Sequence, residues 1–151
     1  MVVLTGVLVT ASFLVEPVRV RSQSMSPTLT DGDHLLIDKI SARAHHPRRG
    51  DVVAFELPTT PGLLIKRVVA VAGDTVGIED GVLVVDGRAI EEPFVDPAQM
   101  DSVYFGPVTV PARTVFVMGD NRANSVDSRS LGPVPIGNVI GRALLRIWPL
   151  P

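Results

Sequence analysis

The chain has 151 residues, 46% of them hydrophobic, a net charge of -2 and no cysteine. That length suits one domain with a sizeable core. Thiol catalysis, disulfides and cysteine-ligated zinc are excluded, and there is no basic field for nucleic acid.

Residues 2–15 carry no charge. As a helix these fourteen residues span about 21 Å, short of the roughly 30 Å core of a bilayer. The segment reads as the trailing part of a membrane anchor, with the anchor incomplete. This gives an expected division into an anchor at 1–15 and a catalytic domain at 16–151. Thirteen Gly, thirteen Pro and many Val favour short strands and turns over helices. Residues 18–24 alternate apolar and polar, as a half-buried strand does. A second strand is expected at 33–40, a basic loop at 42–50, a third strand at 51–57 and a turn at 57–62. Residues 63–74 are apolar on both faces and β-branched, which predicts a central strand. Residues 75–90 predict a hairpin region, with Asp80-Gly81 and Asp86-Gly87 as its turns. Further strands follow within 107–120, then a polar stretch at 121–135 and a closing strand at 138–151. The expected fold is mainly β, in antiparallel sheets, behind a short N-terminal apolar helix.

Chemistry begins with Ser22, Ser24 and Ser26, clustered with no acid or histidine among them. One of them as a nucleophile needs a base. His34 opens a predicted strand. The His45-His46 pair lacks a third ligand nearby, so no metal site is expected. The chain has twelve Arg but only two Lys, Lys39 and Lys66. Arginine stays protonated and cannot serve as a base. Lys39 adjoins Asp38 and reads as half of a surface ion pair. Lys66 lies within Leu-Leu-Ile-Lys-Arg-Val-Val, where a strand puts Leu64, Lys66, Val68 and Ala70 on one face. An ammonium among apolar neighbours should have its pKa lowered from about 10.4. That is what a lysine base requires, although a strand lysine reaching solvent is the commoner case.

Four segments carry a resemblance: SQSMSPTL at 22–29, RRGDVVAF at 48–55, IKRVVAVAGD at 65–74 and GDNRANSVDSRSLGPV at 119–134. In this order and spacing the chain resembles the bacterial type I signal peptidases, from about residue 7 to 148. The resemblance implies a single signal-peptidase-like β domain. It also implies a membrane-bound serine endopeptidase, removing signal peptides from exported preproteins by cleavage after small residues of Ala-x-Ala type. It assigns the nucleophile to Ser24, which directly precedes Met25, and the general base to Lys66. Ser22 and the Ser24 N–H become the oxyanion donors, the usual geometry for acyl transfer. Ser125 becomes the residue orienting the lysine, and Asp127 and Arg129 a supporting charged pair. Val20, Met25, Leu29, Leu64 and Ile65 match the substrate pocket, where ordinary core packing is the alternative. Asp120, Asn121 and Arg122 read as scaffold, and Ser26 as a turn residue before Pro27.

The implied partners are signal peptides and membrane lipid, with no nucleic acid, metal or cofactor. The implied location is the cytoplasmic membrane of a bacterium, single-pass, with the catalytic domain outside. A peptide pairing with strand edges near 18–24 and 63–65 is the expected binding mode. Arg21 and Gln23 stand where the family commonly has Pro and Gly, and Ala123 where it often has an acid. A self-cleaving repressor with the same Ser-Lys chemistry would bring a DNA-binding segment, which the sequence lacks. A non-catalytic relative would have lost Ser24 or Lys66. A conjugation-type peptidase with a dedicated substrate is not separated by sequence.

Overall fold

The computed structural model describes residues 15–148; the expected apolar helix and anchor at 1–15 therefore lie almost wholly outside the described residues. Among those residues, no helix is long and apolar enough to cross a membrane.

Eleven strands build two antiparallel sheets, as the β-rich composition predicts. The larger sheet contains β1 (Val15–Arg19), β2 (His34–Asp38), β3 (Val52–Leu57), β4 (Thr60–Val71), β9 (Thr114–Met118), β10 (Val134–Pro135) and β11 (Val139–Trp148). Its order is β1-β2-β11-β3-β4-β9-β10. The smaller sheet contains β5 (Thr75–Glu79), β6 (Val82–Val85), β7 (Arg88–Ala89) and β8 (Phe105–Thr109), in the order β7-β6-β5-β8. The two predicted turns form as expected. Asp80 and Gly81 have φ of 51° and 81°, Asp86 and Gly87 51° and 73°. Positive φ at both central residues matches the twist of a two-residue hairpin.

Three apolar clusters hold the sheets. Val69 and Ala70 of β4 and Phe116 and Met118 of β9 pack with Val76, Ile78, Leu83 and Val85, joining the two sheets through one core. Val53, Phe55, Val68, Val115, Val117 and Val134 form a second cluster. Val20, Met25, Leu29, Leu35, Ile37 and Ala54 form a third, with Val18, Leu63 and Ile65 packed against it. All but the flanking residues are buried, and each buried Val, Leu, Ile, Phe or Met side chain contributes about 1.5–3 kcal/mol.

Several local expectations are corrected. The strand expected at 18–24 ends at Arg19, and the chain then turns. Ser26 N–H donates to Gln23 O at 3.1 Å and Leu29 N–H to Met25 O at 2.9 Å. Serine- and proline-rich sequence favours such local turns over ladder bonds. The strand expected at 33–40 stops at Asp38, whose Oδ1 accepts the Ile40 N–H at 2.8 Å. A short helix α1 (Lys39–Ala44) follows where strand and loop were expected. Lys39 pairs with Glu16 across β1, not with Asp38 beside it. The turn at 57–62 shrinks to Pro58 and Thr59, because Leu57 already pairs with Thr60. A register shift between Val68 and Ala70 moves Ala70 into the core between the sheets, away from the face shared by Leu64, Lys66 and Val68. The polar stretch 121–135 contains a 3-10 turn, a four-residue helix α2 (Ser128–Leu131) and β10.

Candidate active site

The site forms where β4 meets the turn after β1. Lys66 pairs in register with Val53 of β3. Strand alternation aims its side chain to the face of Leu64 and Val68. It is 3% exposed, in keeping with the sequence reading. Its Nζ donates to Ser24 Oγ at 2.7 Å and to Ile65 O at 3.2 Å. Ser24 is itself buried, and its Oγ lies 3.1 Å from Ser22 Oγ. Among the described residues the Ser24 N–H has no acceptor. Ser26 instead faces Gln99, whose Nε2 is 3.5 Å from its Oγ.

Burial pushes the Lys66 ammonium below its ordinary pKa of 10.5, because the charged form loses its hydration. The carboxylates of Asp127 and, more weakly, Asp120 oppose the shift without reversing it. Asp127 is fully buried. Burial alone would raise its carboxyl. Hydrogen bonds and charge from Arg129, with the Gly119 N–H, outweigh that and hold it below the ordinary carboxylate value. Burial likewise disfavours the Arg129 cation, but Asp127 and Asp101 overcome it and raise its pKa.

The polar stretch holds the serine segment through its backbone. Asn121 N–H donates to Ser24 O at 3.0 Å, and Asn121 Nδ2 to Gln23 O at 3.3 Å. Gly119 N–H donates to Asp127 Oδ2 at 3.0 Å. A Cβ on Gly119 would fall 2.4 Å from Ser24 O and 2.3 Å from Ser125 Oγ, so only glycine fits. Arg129 bonds both Asp127 oxygens at 2.9 Å and Asp101 Oδ2 at 2.7 Å. It also donates to Arg122 O at 2.8 Å.

The sequence-predicted residues sort clearly. Ser22, Ser24 and Lys66 are brought together. Asp127 and Arg129 pair beneath them. Ser125 lies against Gly119 with its Oγ buried; that oxygen makes no hydrogen bond to Lys66 and lends only a weak one to the Asp127 carboxylate. Val20, Met25, Leu64 and Ile65 line an open groove of about 610 Å³ that ends at Lys66. Leu29 belongs to the cluster under the groove and does not line it. His45 and His46 are exposed on another face, and no group of three metal-ligating side chains exists among the described residues.

Sequence reading placed Asp120 and Arg122 in the scaffold but missed the partners that hold them. Arg67 Nε and Nη2 grip Asp120 at 2.8 and 2.6 Å, and its guanidinium lies 3.8 Å from the Phe94 ring centroid. Thr28 Oγ1 donates to Asp120 at 2.5 Å. Arg122 reaches Glu92 at 2.5 Å and Gly119 O at 3.0 Å. Arg67 adjoins the lysine, and Asp120 and Arg122 stand in the last motif. Glu92, Phe94 and Asp101 occupy a connection with no periodic signal.

The family profile for signal peptidase, peptidase S26, matches residues 1–148. The chain belongs to the signal peptidase family. A signal peptidase I of Leptolyngbya laminosa is 38% identical over 147 residues, covering 92% of this chain and 71% of that protein. A probable signal peptidase I of Synechocystis is 40% identical over 158 residues, covering 99% of this chain and 79% of the relative. The crystal structure of a signal peptidase I from Enterococcus faecalis V583 matches with a TM-score of 0.58 at 29% identity, covering 67% of this chain and 98% of that one. Membership makes this signal peptidase homologue a serine peptidase, and the mainly antiparallel β architecture agrees with the solved relative's.

Proposed function

We propose that this peptidase removes signal peptides from exported preproteins through an acyl-enzyme built on Ser24 and Lys66. The observation that carries the reading is the 2.7 Å contact between Lys66 Nζ and Ser24 Oγ, with Lys66 buried at the end of an open groove. In the neutral amine the contact reverses sense, and the hydroxyl becomes the donor. Lys66 then takes the Ser24 proton as Oγ attacks the scissile carbonyl. The developing oxyanion is met by the Ser22 hydroxyl and the Ser24 N–H. The protonated Lys66 returns its proton to the leaving amine, and afterwards activates water to hydrolyse the ester. Asp127 and Arg129 keep Gly119 and the serine segment in place. Ser125 is assigned the orienting of Lys66 by the family resemblance, and it sits beside Gly119 and Asp127.

Two unpaired strand edges support the substrate mode. Among the described residues β1 ends the larger sheet, so one of its edges has no partner strand there. β4 pairs with β9 only from Arg67 onward, leaving residues 60–66 open on that side. Both edges wall the same groove. An extended peptide laid between them would receive ladder bonds from either side. Its -1 and -3 side chains would share the face toward Val20, Met25 and Ile65, which suits small residues. The chain's membrane attachment, single-pass and with the catalytic domain outside the cytoplasmic membrane, is part of this reading and rests on the family. So does contact with membrane lipid.

The test is a preprotein with an Ala-x-Ala site, its products weighed after incubation with each variant. Wild type should cut after the second Ala. Ser24→Ala and Lys66→Ala should give no product, and Ser22→Ala a rate about 100-fold lower. Lys66→Arg should also be inactive, since a guanidinium does not give up its proton; near-normal turnover by that variant would end the dyad reading.

A further inference from the structure

Arg19 and Arg21 stand two residues apart on the segment walling the groove, and both are exposed. Val18 and Val20 alternate with them and pack into the cluster beneath. Among the described residues neither guanidinium has a hydrogen-bond or ion-pair partner. Of the acids near them, Asp31 is exposed and does not line the groove, and the others are committed. Glu16, the one carboxylate lining the groove, pairs with Lys39. Asp33 is 2% exposed, accepts the Thr30 N–H at 2.9 Å and faces Arg146 at 3.3 Å. The groove thus offers two unpartnered positive charges and no free negative one, and its third cation is the buried Lys66.

We propose that Arg19 and Arg21 select the charge of the substrate side chains that alternate with the small ones. At -2 and -4 this peptidase takes acidic or neutral side chains and disfavours basic ones. The inference rests on the edge-pairing reading above. In an extended peptide whose -1 and -3 residues face Val20, Met25 and Ile65, the -2 and -4 side chains point the opposite way. That is the side on which Arg19 and Arg21 alternate with the core valines. Side chains opposite one another on paired strands sit about 4.5–5.5 Å apart at Cβ, close enough for charge to matter. Both guanidiniums are wet, so the preference is modest and salt-sensitive.

The experiment uses peptides with Ala at -1 and -3 and Asp, Gln or Lys at -2, cleaved by the full chain in neutral detergent. A second set carries the same charges at +5, beyond the bond cut. The readout is the ratio of kcat/KM for Asp over Lys within each variant, so a general loss of activity cancels. Wild type should favour Asp at -2 by about fivefold at low salt. The ratio should approach one in Arg19→Gln/Arg21→Gln, at roughly 0.5 M salt, and for the +5 set. Cleavage of the Gln peptide with a ratio of one in wild type would overturn the charge selection and leave the peptidase reading standing. No cleavage of the Gln peptide would remove both. A wild-type ratio of one, with loss of binding to phosphatidylglycerol vesicles in the double variant, would give the guanidiniums to lipid instead.

Discussion

At the scale of the residue, Lys66 sits between two opposing influences. Desolvation favours its neutral form, and the charges of Asp127 and Asp120 favour the ammonium. As a general base it works when neutral, so kcat/KM should rise with pH through its lowered pKa, below 10.5. Removing the stronger opposing charge, Asp127, lowers that pKa further. Asp127→Asn should therefore move the acid limb to lower pH. The same substitution removes the main partner of Arg129, leaving it with Asp101. A loss of about 3 kcal/mol in denaturant unfolding is expected. The stability terms have definite signs. The lowered carboxyl of Asp127 stabilises the fold above its unfolded pKa, and that contribution fades as pH falls through the native value. The lowered pKa of Lys66 works the other way: below its native pKa the buried ammonium costs stability, and the cost disappears as pH rises past about 10.5. A folded Asp127→Asn enzyme with an unmoved acid limb would show that another group titrates.

At the scale of the element, β4 joins two tasks that its sequence shows only as one apolar run. Its first half pairs with β3 and leaves its other edge unpaired, and from Arg67 its second half pairs with β9. Lys66 falls at the junction, where a side chain is buried yet adjoins an open edge. The connection after β9 performs the opposite task, reaching back to hold a different strand's continuation. Gly119 and Asn121 both lie against the backbone of Gln23 and Ser24. Gly119→Ala should push Ser24 away from Lys66 and lower kcat by about 100-fold, the usual cost of misplacing a reacting group by about an ångström. Comparing single-turnover rates with the thermal midpoint separates this from unfolding. A folded variant with wild-type rate would mean that the loop does not position the nucleophile.

At the scale of the whole molecule, the curled larger sheet brings its first strand and the open half of its fifth to opposite walls of one groove. The side chains between them pack both upward into the groove and downward into the core. Val20 and Met25 are 3% and 1% exposed, so the floor has little room to yield. Replacing Ala by Phe at -1 of a peptide substrate should lower kcat/KM roughly tenfold or more, the cost of forcing volume into a packed site. Equal rates for the two peptides would sink the small-pocket reading. Trp148, at the far end of β11, is 60% exposed, and Leu144 earlier on the same strand is exposed too. Contact of Trp148 with lipid remains part of the proposal.

Sequence by itself determined the mainly β class, the two Asp-Gly turns, the long central strand and Lys66 as the candidate base. These follow from local chemistry: alternation, positive-φ turns, and a lone lysine within an apolar strand. Motif spacing, rather than periodicity, carried Ser22, Asp127 and Arg129. Only the tertiary structure decided the rest. Leu29 and Leu64 look alike in a sequence, yet one is core and the other lines the groove. Glu92, Phe94 and Asp101 became supports because a connection without any periodic pattern is folded against the serine segment. Lys39 found Glu16 instead of its neighbour Asp38, since strand pairing brings β1 alongside β2. A one-residue slip after Val68 sent Ala70 to a different core. Burial, edge exposure and long-range ion pairs depend on which strands become neighbours, and no local window of sequence contains that information.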